Sequence, residues 1–467
     1  MRTRPSSQHR LPTFTTRNWV GLIIGVVAFC FPLVFTLPGL STQGHRMLAI
    51  FLLAIVFWVS EAIPLVATAM VVILLEVLLI STSAILPVDE SALPASDYYA
   101  ALAHPVIILF LGGFLLAYGA AKYGLDRNLA AVMLRPFQGS GRLTVLGLML
   151  ISALLSMFMS NTATTATMFA VVIPILAVMP TARSRAGLAL AIPVAANIGG
   201  IGTPVGTPPN AIAIGALADA GIHVSFLQWM VFAVPLMLVV LAFGWWLIVT
   251  MFIPPATPVE LHLDPDFDQS VPARIFYIVA GLTVVLWMSE PIHGISASTV
   301  GLIPVAILLA TGVVGAKELG ELQWSVLWLV SGGIALGVGV GASELDAWLL
   351  GSVNWAGLPA MVLIAALALL GLGMSNVISH SAAANLLVPL TLTLGTASAA
   401  GSTQLTIIVA LACSLGMALP ISTPPNAIAY ATGEVPVKHM GQVGILVGLF
   451  GTLLLALAMP TVLGWLV

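Results

Sequence analysis

Charged side chains are scarce in this sequence. Asp, Glu, Lys and Arg make up only 7% of its 467 residues, and the formal net charge is -3. Hydrophobic residues make up 60%, and the mean hydropathy is +1.12. A soluble protein could not bury that much apolar surface. The composition therefore excludes a soluble globular protein, and we expect no nucleic-acid partner.

Cysteine is scarce as well. Cys30 and Cys413 both fall inside apolar segments, which argues against a disulfide framework. The first long apolar run is followed by no small-residue cleavage site, so we do not expect a cleaved signal peptide. No organic cofactor is predicted.

Apolar segments of roughly 20 residues recur along the whole chain, and an α-helix needs about that length to cross a bilayer. The sequence therefore predicts an all-α polytopic membrane protein in the lipid bilayer of the cell (inner) membrane. Two further apolar stretches, 143–180 and 358–397, are interrupted by polar clusters and are predicted to be re-entrant hairpins. About eleven spanning helices are predicted, near 19–38, 46–62, 65–86, 104–121, 186–219, 226–253, 273–290, 295–314, 324–343, 402–432 and 440–466.

The basic residues predict the orientation of these segments, because Lys and Arg favour cytoplasmic loops. With the N-terminus inside, every basic residue except Arg46, which is thirteen of the fourteen, falls on the cytoplasmic side. Eleven spans then place Val467 outside. The predicted divisions are a cytoplasmic tail at 1–18, a first half at 19–253, a cytoplasmic linker at 254–272 and a second half at 273–467.

One heptapeptide, Thr-Pro-Pro-Asn-Ala-Ile-Ala, occurs at 207–213 and again at 423–429. Adjacent prolines interrupt a helix, since each lacks a backbone donor and clashes with the preceding turn. Broken helices are therefore predicted at 186–219 and 402–432. Matching breaks in two halves of a membrane protein indicate a transporter binding site.

Other features recur at nearly the same offset, which indicates an internal repeat. The predicted topology brings the first hairpin in from the cytoplasm and the second from outside, so the repeats are inverted. The matched features are Gly112-Gly113 with Gly332-Gly333 (220), Leu125-Asp126 with Leu345-Asp346 (220), Ser156 and Ser160 with Ser375 and Ser379 (219), and Thr207 with Thr423 (216).

The two hairpin tips carry neutral polar side chains, at 160–162 and at 379–381. Helices that begin at such tips expose unpaired N–H groups and a partial positive charge, and hydroxyl and amide groups add donors. Such a site can hold an anion without Arg or Lys. Freed carbonyls and side-chain oxygens suit Na⁺. Helix packing alone could explain an isolated Ser-x-x-x-Ser, but its recurrence beside broken helices favours binding.

Two other classes of protein fit less well. An intramembrane enzyme is not predicted, because Ser379 and His380 are sequence neighbours that cannot face one another on a helix, and no acidic residue completes a triad. A channel would not need matched inverted repeats with two broken-helix sites, so these features favour a carrier. A carrier that also leaks ions remains an alternative.

The motifs together resemble the divalent anion–sodium symporter (DASS) family, from about residue 45 to 467. They are Ser60-Glu61-Ala-Ile-Pro64, Phe110-Leu-Gly-Gly-Phe-Leu-Leu116, Ser160-Asn161-Thr162, the run from Gly199 to Asn210, and Leu419-Pro-Ile-Ser-Thr-Pro-Pro-Asn426. The resemblance implies an elevator-type carrier of dicarboxylates, citrate or sulfate that forms a homodimer. Hairpins and broken helices would move as a transport domain against a scaffold domain.

The resemblance also implies specific site residues. The first sodium site would use Ser156, Ser160, Asn161 and the backbone at Gly206, and the second would use Ser375, the backbone near Ile378, position 380 and the backbone at Ser422. The anion would meet Ser160, Asn161, Thr162, Thr207 and Pro208 from the first half, and Ser379, His380, Ser381, Thr423 and Pro424 from the second.

His380 stands where the family usually has Asn. The alternative register, with Ser375-Asn376-Val377 at the tip, is disfavoured by the repeat offset and by the sequence from Ala382 to Pro389. Imidazole offers no oxygen to Na⁺, so we expect the second sodium site to be altered or lost. His380 could bind the anion, carry a proton, or only form hydrogen bonds within the hairpin. The first function predicted is sodium-coupled transport of C4-dicarboxylates, with sodium-independent exchange, proton coupling, and sulfate or citrate transport as alternatives.

Overall fold

The computed structural model describes residues 15–90, 92–254, 265–351 and 358–466. Within these ranges every regular element is a helix and there is no β-strand. Ten of the described helices are long and apolar enough to cross a membrane, by length and composition. The predicted all-α polytopic class is therefore confirmed. Most of the predicted tail and of the predicted linker lie outside the described residues.

The described part of the first half contains eleven α-helices. They are α1 (Thr16–Val34), α2 (Thr42–Ser60), α3 (Leu65–Leu79), α4 (Ala95–Ala100), α5 (Pro105–Lys122), α6 (Leu125–Leu134), α7 (Gly141–Phe158), α8 (Asn161–Val178), α9 (Ala182–Gly199), α10 (Pro208–Asp219) and α11 (Phe226–Phe252).

The described part of the second half also contains eleven α-helices. They are α12 (Val271–Met288), α13 (Glu290–His293), α14 (Ala297–Ala310), α15 (Ala316–Gly320), α16 (Trp324–Ala342), α17 (Leu345–Gly351), α18 (Ala360–Val377), α19 (His380–Thr396), α20 (Ser402–Cys413), α21 (Pro424–Ala431) and α22 (Val437–Leu466). From α16 onward their order matches that from α5 onward.

Helix α3 ends about seven residues before the predicted limit of its segment, at Leu79 instead of near residue 86. The last carbonyls of a helix need partners from outside it. Arg46 Nη1 donates to Leu79 O at 2.9 Å, and its cation also favours the negative end of the helix dipole. Arg46, the one basic residue that the predicted topology places outside, is thus buried and caps a helix.

Each broken helix stops and restarts where the prolines require it. Helix α9 ends at Gly199, passes through a 3-10 turn at Gly200–Gly202, and the chain becomes helical again at Pro208. In the second half the gap runs from Cys413 to Pro424. Proline suits the first position of a helix, where its missing N–H would have had no partner. The breaks therefore position the N-termini of α10 and α21.

Helices α9 and α20 form the centre of the molecule and are almost completely buried. Helices α7 and α8 pack against α9, and α18 and α19 pack against α20. The short helix after each break crosses to the other repeat, since α10 packs on α19 and α20 while α21 packs on α8 and α9. This exchange of helices between the repeats brings all four chain breaks to one place.

Candidate functional site

The four chain breaks surround a single cavity of about 450 Å³. All ten residues predicted to meet the anion line it: Ser160, Asn161, Thr162, Thr207, Pro208, Ser379, His380, Ser381, Thr423 and Pro424. Helices α8, α10, α19 and α21 all begin at this cavity. Their positive dipole ends and unpaired N–H groups therefore converge on the same space.

The cavity is lined by both polar and apolar residues. Most of the polar ones belong to the hairpin tips and the chain breaks. Apolar side chains come from α3, α5 and α16, among them Leu65, Phe110, Phe114 and Val326. Of the described residues that line the cavity none is Asp, Glu, Lys or Arg, and His380 is the one imidazole. An anion bound here would meet neutral donors and helix dipoles without a competing carboxylate.

The hairpin tips have the same backbone construction. Ser160 is the N-cap of α8, and its Oγ accepts from Ala163 N–H at 3.2 Å. Ser379 is the N-cap of α19, and its Oγ accepts from Ala382 N–H, also at 3.2 Å. Asn161 and His380 are therefore equivalent first residues of their helices. The segment 375–377 lies in the last turn of α18 and does not form the tip.

The Asn of each Thr-Pro-Pro-Asn motif closes its own break. Asn210 Nδ2 donates to the carbonyls of Gly200, Ile201 and Thr203 at 3.0, 3.3 and 2.8 Å. Asn426 Nδ2 donates in the same way to Met417 O and Leu419 O. Buried carbonyls without partners would be costly in an apolar surrounding. These two side chains thus hold the breaks in shape.

Asn197 is a cavity residue that the sequence reasoning missed. It lies in α9, and its Nδ2 donates to Thr423 Oγ1 and to Asn426 Oδ1, each at 3.2 Å. It therefore connects the first repeat to the break of the second. The signal available in the sequence was an amide side chain in a helix that is otherwise small and apolar, since such side chains bond between membrane helices.

Several oxygens gather at the first tip, where one sodium site is predicted. Ser156 Oγ is 2.6 Å from Asn161 Oδ1. The carbonyls of Ala196 and Gly206 lie 3.3 and 3.2 Å from the same end of the Asn161 amide. Turning the amide by 180° would let its nitrogen donate to these three oxygens. The turned orientation pairs all of these groups without an ion, whereas the orientation with the amide oxygen inward brings four oxygens together and would need a hard cation among them.

A glycine makes room for this arrangement. A Cβ atom on Gly200 would lie 2.6 Å from Asn161 Oδ1, closer than van der Waals contact allows. In the described residues no group of three or more His, Cys, Asp or Glu side chains could hold a metal ion. A bound sodium ion would therefore depend on neutral oxygens, and the residues at the first tip fit such an ion.

The second tip has a different set of hydrogen bonds. His380 is 7% exposed, and its Nε2 is 2.6 Å from Gly416 O. A carbonyl can only accept, so Nε2 carries the hydrogen. Ser375 Oγ donates to Leu372 O at 3.1 Å. The imidazole N–H thus satisfies a carbonyl of the second break without a cation.

Ser422, which is also predicted for the second sodium site, forms hydrogen bonds within the second break and to the end of α18. Ser422 Oγ donates to Asn376 O at 2.8 Å and accepts from Leu419 N–H at 3.1 Å. Ile378, whose backbone was predicted as a ligand, is buried.

Comparisons with known proteins identify the family. The family model described as the sodium:sulfate symporter transmembrane region matches residues 16–467. The chain belongs to the divalent anion–sodium symporter family. It is therefore an integral membrane transporter of divalent anions and not an enzyme, as the sequence predicted.

Individual relatives agree with this assignment. Over 508 residues the chain is 30% identical to the sodium-dependent dicarboxylate transporter SdcS of Staphylococcus aureus strain MRSA252, and the match covers 98% of this chain and 94% of that protein. The SdcS protein of strain USA300 is 29% identical with the same coverage. The crystal structure of the Alcanivorax borkumensis YdaH transporter has a TM-score of 0.54, 14% sequence identity, and coverage of 79% of this chain and 88% of that one. At that identity the likeness to YdaH concerns the fold alone.

Proposed function

We propose that this symporter-family member carries C4-dicarboxylates such as succinate, malate or fumarate, and that sodium bound at the first tip drives the transport. The observation that carries the proposal is the convergence of four helix N-termini and their hydroxyl groups on one cavity that lacks acidic side chains. Such a cavity suits a dianion better than a neutral or cationic solute.

The choice of a dicarboxylate follows from the two-fold arrangement of donors. Each hairpin tip and its neighbouring break form one set of N–H and hydroxyl donors, so a molecule with a carboxylate at each end can use both sets. SdcS, which matches nearly the full length of the chain, is a sodium-dependent dicarboxylate transporter. Sulfate and citrate remain the alternative substrates, because hydroxyl and amide donors suit these anions as well.

The coupling proposal rests on the oxygens around Asn161. Ser156 Oγ, the amide oxygen and the carbonyls of Ala196 and Gly206 could surround one sodium ion. A cation there would lie beside the bound anion and stabilise its charge, so that each ion raises the affinity for the other. At the second tip the His380 N–H already donates to the carbonyl of Gly416, so this oxygen has a partner without a sodium ion. Sodium-independent exchange or proton coupling through His380 is therefore the second candidate.

Transport would require the central bundle to move. We infer that the hairpins and broken helices form a transport domain and that α1–α3, α5, α12, α14 and α16, which pack among themselves, form a scaffold. The proposed assembly is a homodimer in the cell (inner) membrane, with a cytoplasmic N-terminus and an external C-terminus, as the distribution of basic residues predicts.

Uptake into proteoliposomes tests this function. Labelled succinate, citrate and sulfate are each supplied with and without an inward sodium gradient, at two pH values. We expect saturable succinate uptake that depends on sodium and is accelerated by internal succinate. Uptake of sulfate but not succinate would contradict the substrate proposal. Equal succinate uptake in sodium and choline buffers would contradict the coupling proposal, and a rise at the lower pH would favour proton coupling.

A further inference from the structure

Gln323 contacts a hairpin tip from outside the four chain breaks. It precedes α16 directly, and its Nε2 donates to Ser160 Oγ at 2.9 Å. This bond joins the helices that we assign to the scaffold with the tip that we assign to the transport domain. Gln323 also lines the cavity.

The bond determines what the Ser160 hydroxyl can do. A hydroxyl has two acceptor lone pairs and one hydrogen to donate. Ser160 Oγ accepts from Ala163 N–H at 3.2 Å and from Gln323 Nε2 at 2.9 Å. Both lone pairs are then in use, and the O–H is left to donate. A carboxylate in the cavity requires such a donor, so Gln323 orients Ser160 for anion binding.

The repeat relates this pair to a second one. By the offset of 220 that relates Gly112-Gly113 to Gly332-Gly333, the sequence counterpart of Gln323 is Ala103, but as the residue directly before the helix its counterpart is His104. Ser379 lies 219 residues after Ser160. His104 precedes α5 as Gln323 precedes α16. The repeat-equivalent of the Gln323–Ser160 contact is therefore a contact between His104 and Ser379.

That second contact is not made in this structure. His104 does not line the cavity. Its Nε2 lies 3.1 Å from Asp219 Oδ1 at the end of α10, and its Nδ1 accepts from Val106 N–H at 3.3 Å. His104 therefore holds a different part of the central bundle, although its Nε2 can donate a hydrogen bond just as Gln323 does.

The two hairpins also differ in how they pack against α5 and α16. Helix α19 of the second hairpin packs along α16, and α10 packs against both α5 and α16. In the described part of the chain, the repeat-equivalent helices α8 and α21 make no comparable contact with α5 and α16. The molecule therefore adopts one of the two conformations that inverted repeats permit. In the other conformation, each half would make the contacts that the opposite half makes here.

We propose that Gln323 and His104 are paired positioning residues that engage the two hairpin tips in turn. Gln323 orients Ser160 in the conformation described here, and His104 Nε2 orients Ser379 in the conformation that opens to the other face of the membrane. The inference rests on the proposed carrier function for its alternation of states. It does not depend on which anion is carried.

Crosslinking tests the alternation directly. In a chain whose Cys30 and Cys413 are replaced by serine, one variant carries Gln323→Cys with Ser160→Cys and another carries His104→Cys with Ser379→Cys. A short bifunctional thiol reagent is applied in proteoliposomes. We expect both pairs to be linked. With a third cysteine introduced at the cavity residue by Ser325→Cys, linking one pair should leave that cysteine reactive from only one face of the membrane, and linking the other pair should leave it reactive from the opposite face. Linking of the first pair but never of the second overturns the alternation. Crosslinking requires no transported substrate, so it is informative even if succinate uptake fails.

Transport kinetics test the positioning role. Without the hydrogen bond from Gln323 or His104, the serine hydroxyl that donates to the anion is no longer oriented. The substrate KM should then rise about threefold to tenfold, with kcat less affected. We expect Gln323→Leu to do so from one face and His104→Leu from the opposite face in oriented vesicles. Gln323→His, which introduces the repeat-equivalent side chain, should restore the KM. Gln404→Leu is the matched control, since Gln404 Nε2 also donates to an oxygen, that of Pro460, but does not line the cavity. If Gln323→Leu behaves like Gln404→Leu, or if Gln323→His fails to restore the KM although the protein is folded, the positioning role is wrong.

Discussion

The first hairpin tip carries Asn161 and the second carries His380 at the same helical position, after N-cap serines with matching hydrogen bonds. The Asn161 amide meets Ser156 Oγ and two backbone carbonyls, so its nitrogen can donate to all three or its oxygen can join them around a cation. His380 directs an N–H toward the carbonyl of Gly416. One tip therefore has oxygens that a cation could bind, and the other has its own donor in the corresponding place. The repeat provides two equivalent frameworks, and we propose that the residue at this one position decides whether each tip binds an ion.

A second difference runs between the breaks. Asn197 of the first repeat donates to Thr423 and Asn426 in the break of the second. Its repeat-equivalent, 216 residues later, is Cys413, which is buried and is only a weak donor. The first break is thus held by its own Asn210, whereas the second is also held from the other repeat.

The largest expected effect comes from removing the distinctive side chain of each tip. Asn161→Leu removes an oxygen proposed for sodium and a donor proposed for the anion, so succinate uptake should fall about 100-fold, the effect of losing about 3 kcal/mol of binding energy. His380→Leu should reduce uptake about tenfold, since only the anion and a carbonyl lose a partner. Initial rates at matched protein amounts measure both. Equal losses of sodium dependence in the two variants would contradict the difference between the tips.

A smaller effect is expected at the bond between the repeats. Asn197→Leu leaves Asn426 Oδ1 and Thr423 Oγ1 without this donor, so the free energy of unfolding should fall by about 1–3 kcal/mol. Thermal unfolding in detergent with and without succinate measures it. Ser152→Ala is the control, because the buried Ser152 hydroxyl has no hydrogen-bond partner among the described residues and its removal should be nearly neutral. An Asn197 variant as stable as the Ser152 variant would mean that the bridge contributes nothing.

The ion pair between Arg185 and Glu434 should matter less. Arg185 Nε lies 3.0 Å from Glu434 Oε2, and it joins the start of α9 to the segment after α21. Both side chains are about one-third exposed, so solvent and salt weaken the attraction. A double-mutant cycle of Arg185→Gln and Glu434→Gln should give a coupling energy below about 1 kcal/mol, which decreases in high salt. A coupling of several kcal/mol would show that this contact, and not Asn197, holds the repeats together.

The smallest effect concerns acid stability at the end of α5. Lys122 Nζ donates to Glu318 Oε1 at 2.9 Å, and this hydrogen bond lowers the pKa of Glu318 from its usual 4.5 to about 2. A lowered pKa stabilises the fold above the pKa of the unfolded chain, and this contribution is lost as pH falls from about 4.5 to about 2. Glu318→Gln should abolish only this part of the acid sensitivity. Melting temperatures between pH 7 and pH 2.5 measure it, and parallel curves for the two proteins would contradict the assignment.

The sequence predicted the helices and breaks well because their causes are local. Long apolar runs define the membrane helices, and Pro208 and Pro424 define the restarts after the breaks. The end of α3 was wrong by about seven residues because its cap, Arg46, comes from another helix. The short helices α6 and α17 were not predicted, although the repeat motif Leu-Asp begins each of them.

The contacts of the site depend on which helices exchange between the repeats, and no local pattern records that. All ten predicted anion residues reach one cavity, but Asn197 and Gln323 join it only through tertiary packing. The sodium ligands, the direction of coupling, the moving domain and the dimer remain predictions. The inverted repeat was the most informative feature of the sequence, since it related two distant tips before any contact between them was known.

The most direct test of the difference between the tips is the ratio of sodium to succinate fluxes, measured with both isotopes in proteoliposomes containing the wild-type protein or His380→Asn. The substitution restores at the second tip the amide that the first tip has. We predict that the variant carries about one more sodium ion per succinate than the wild type, because a second oxygen site becomes available. An unchanged ratio in a variant that still transports succinate would contradict the claim that His380 replaces a sodium ion.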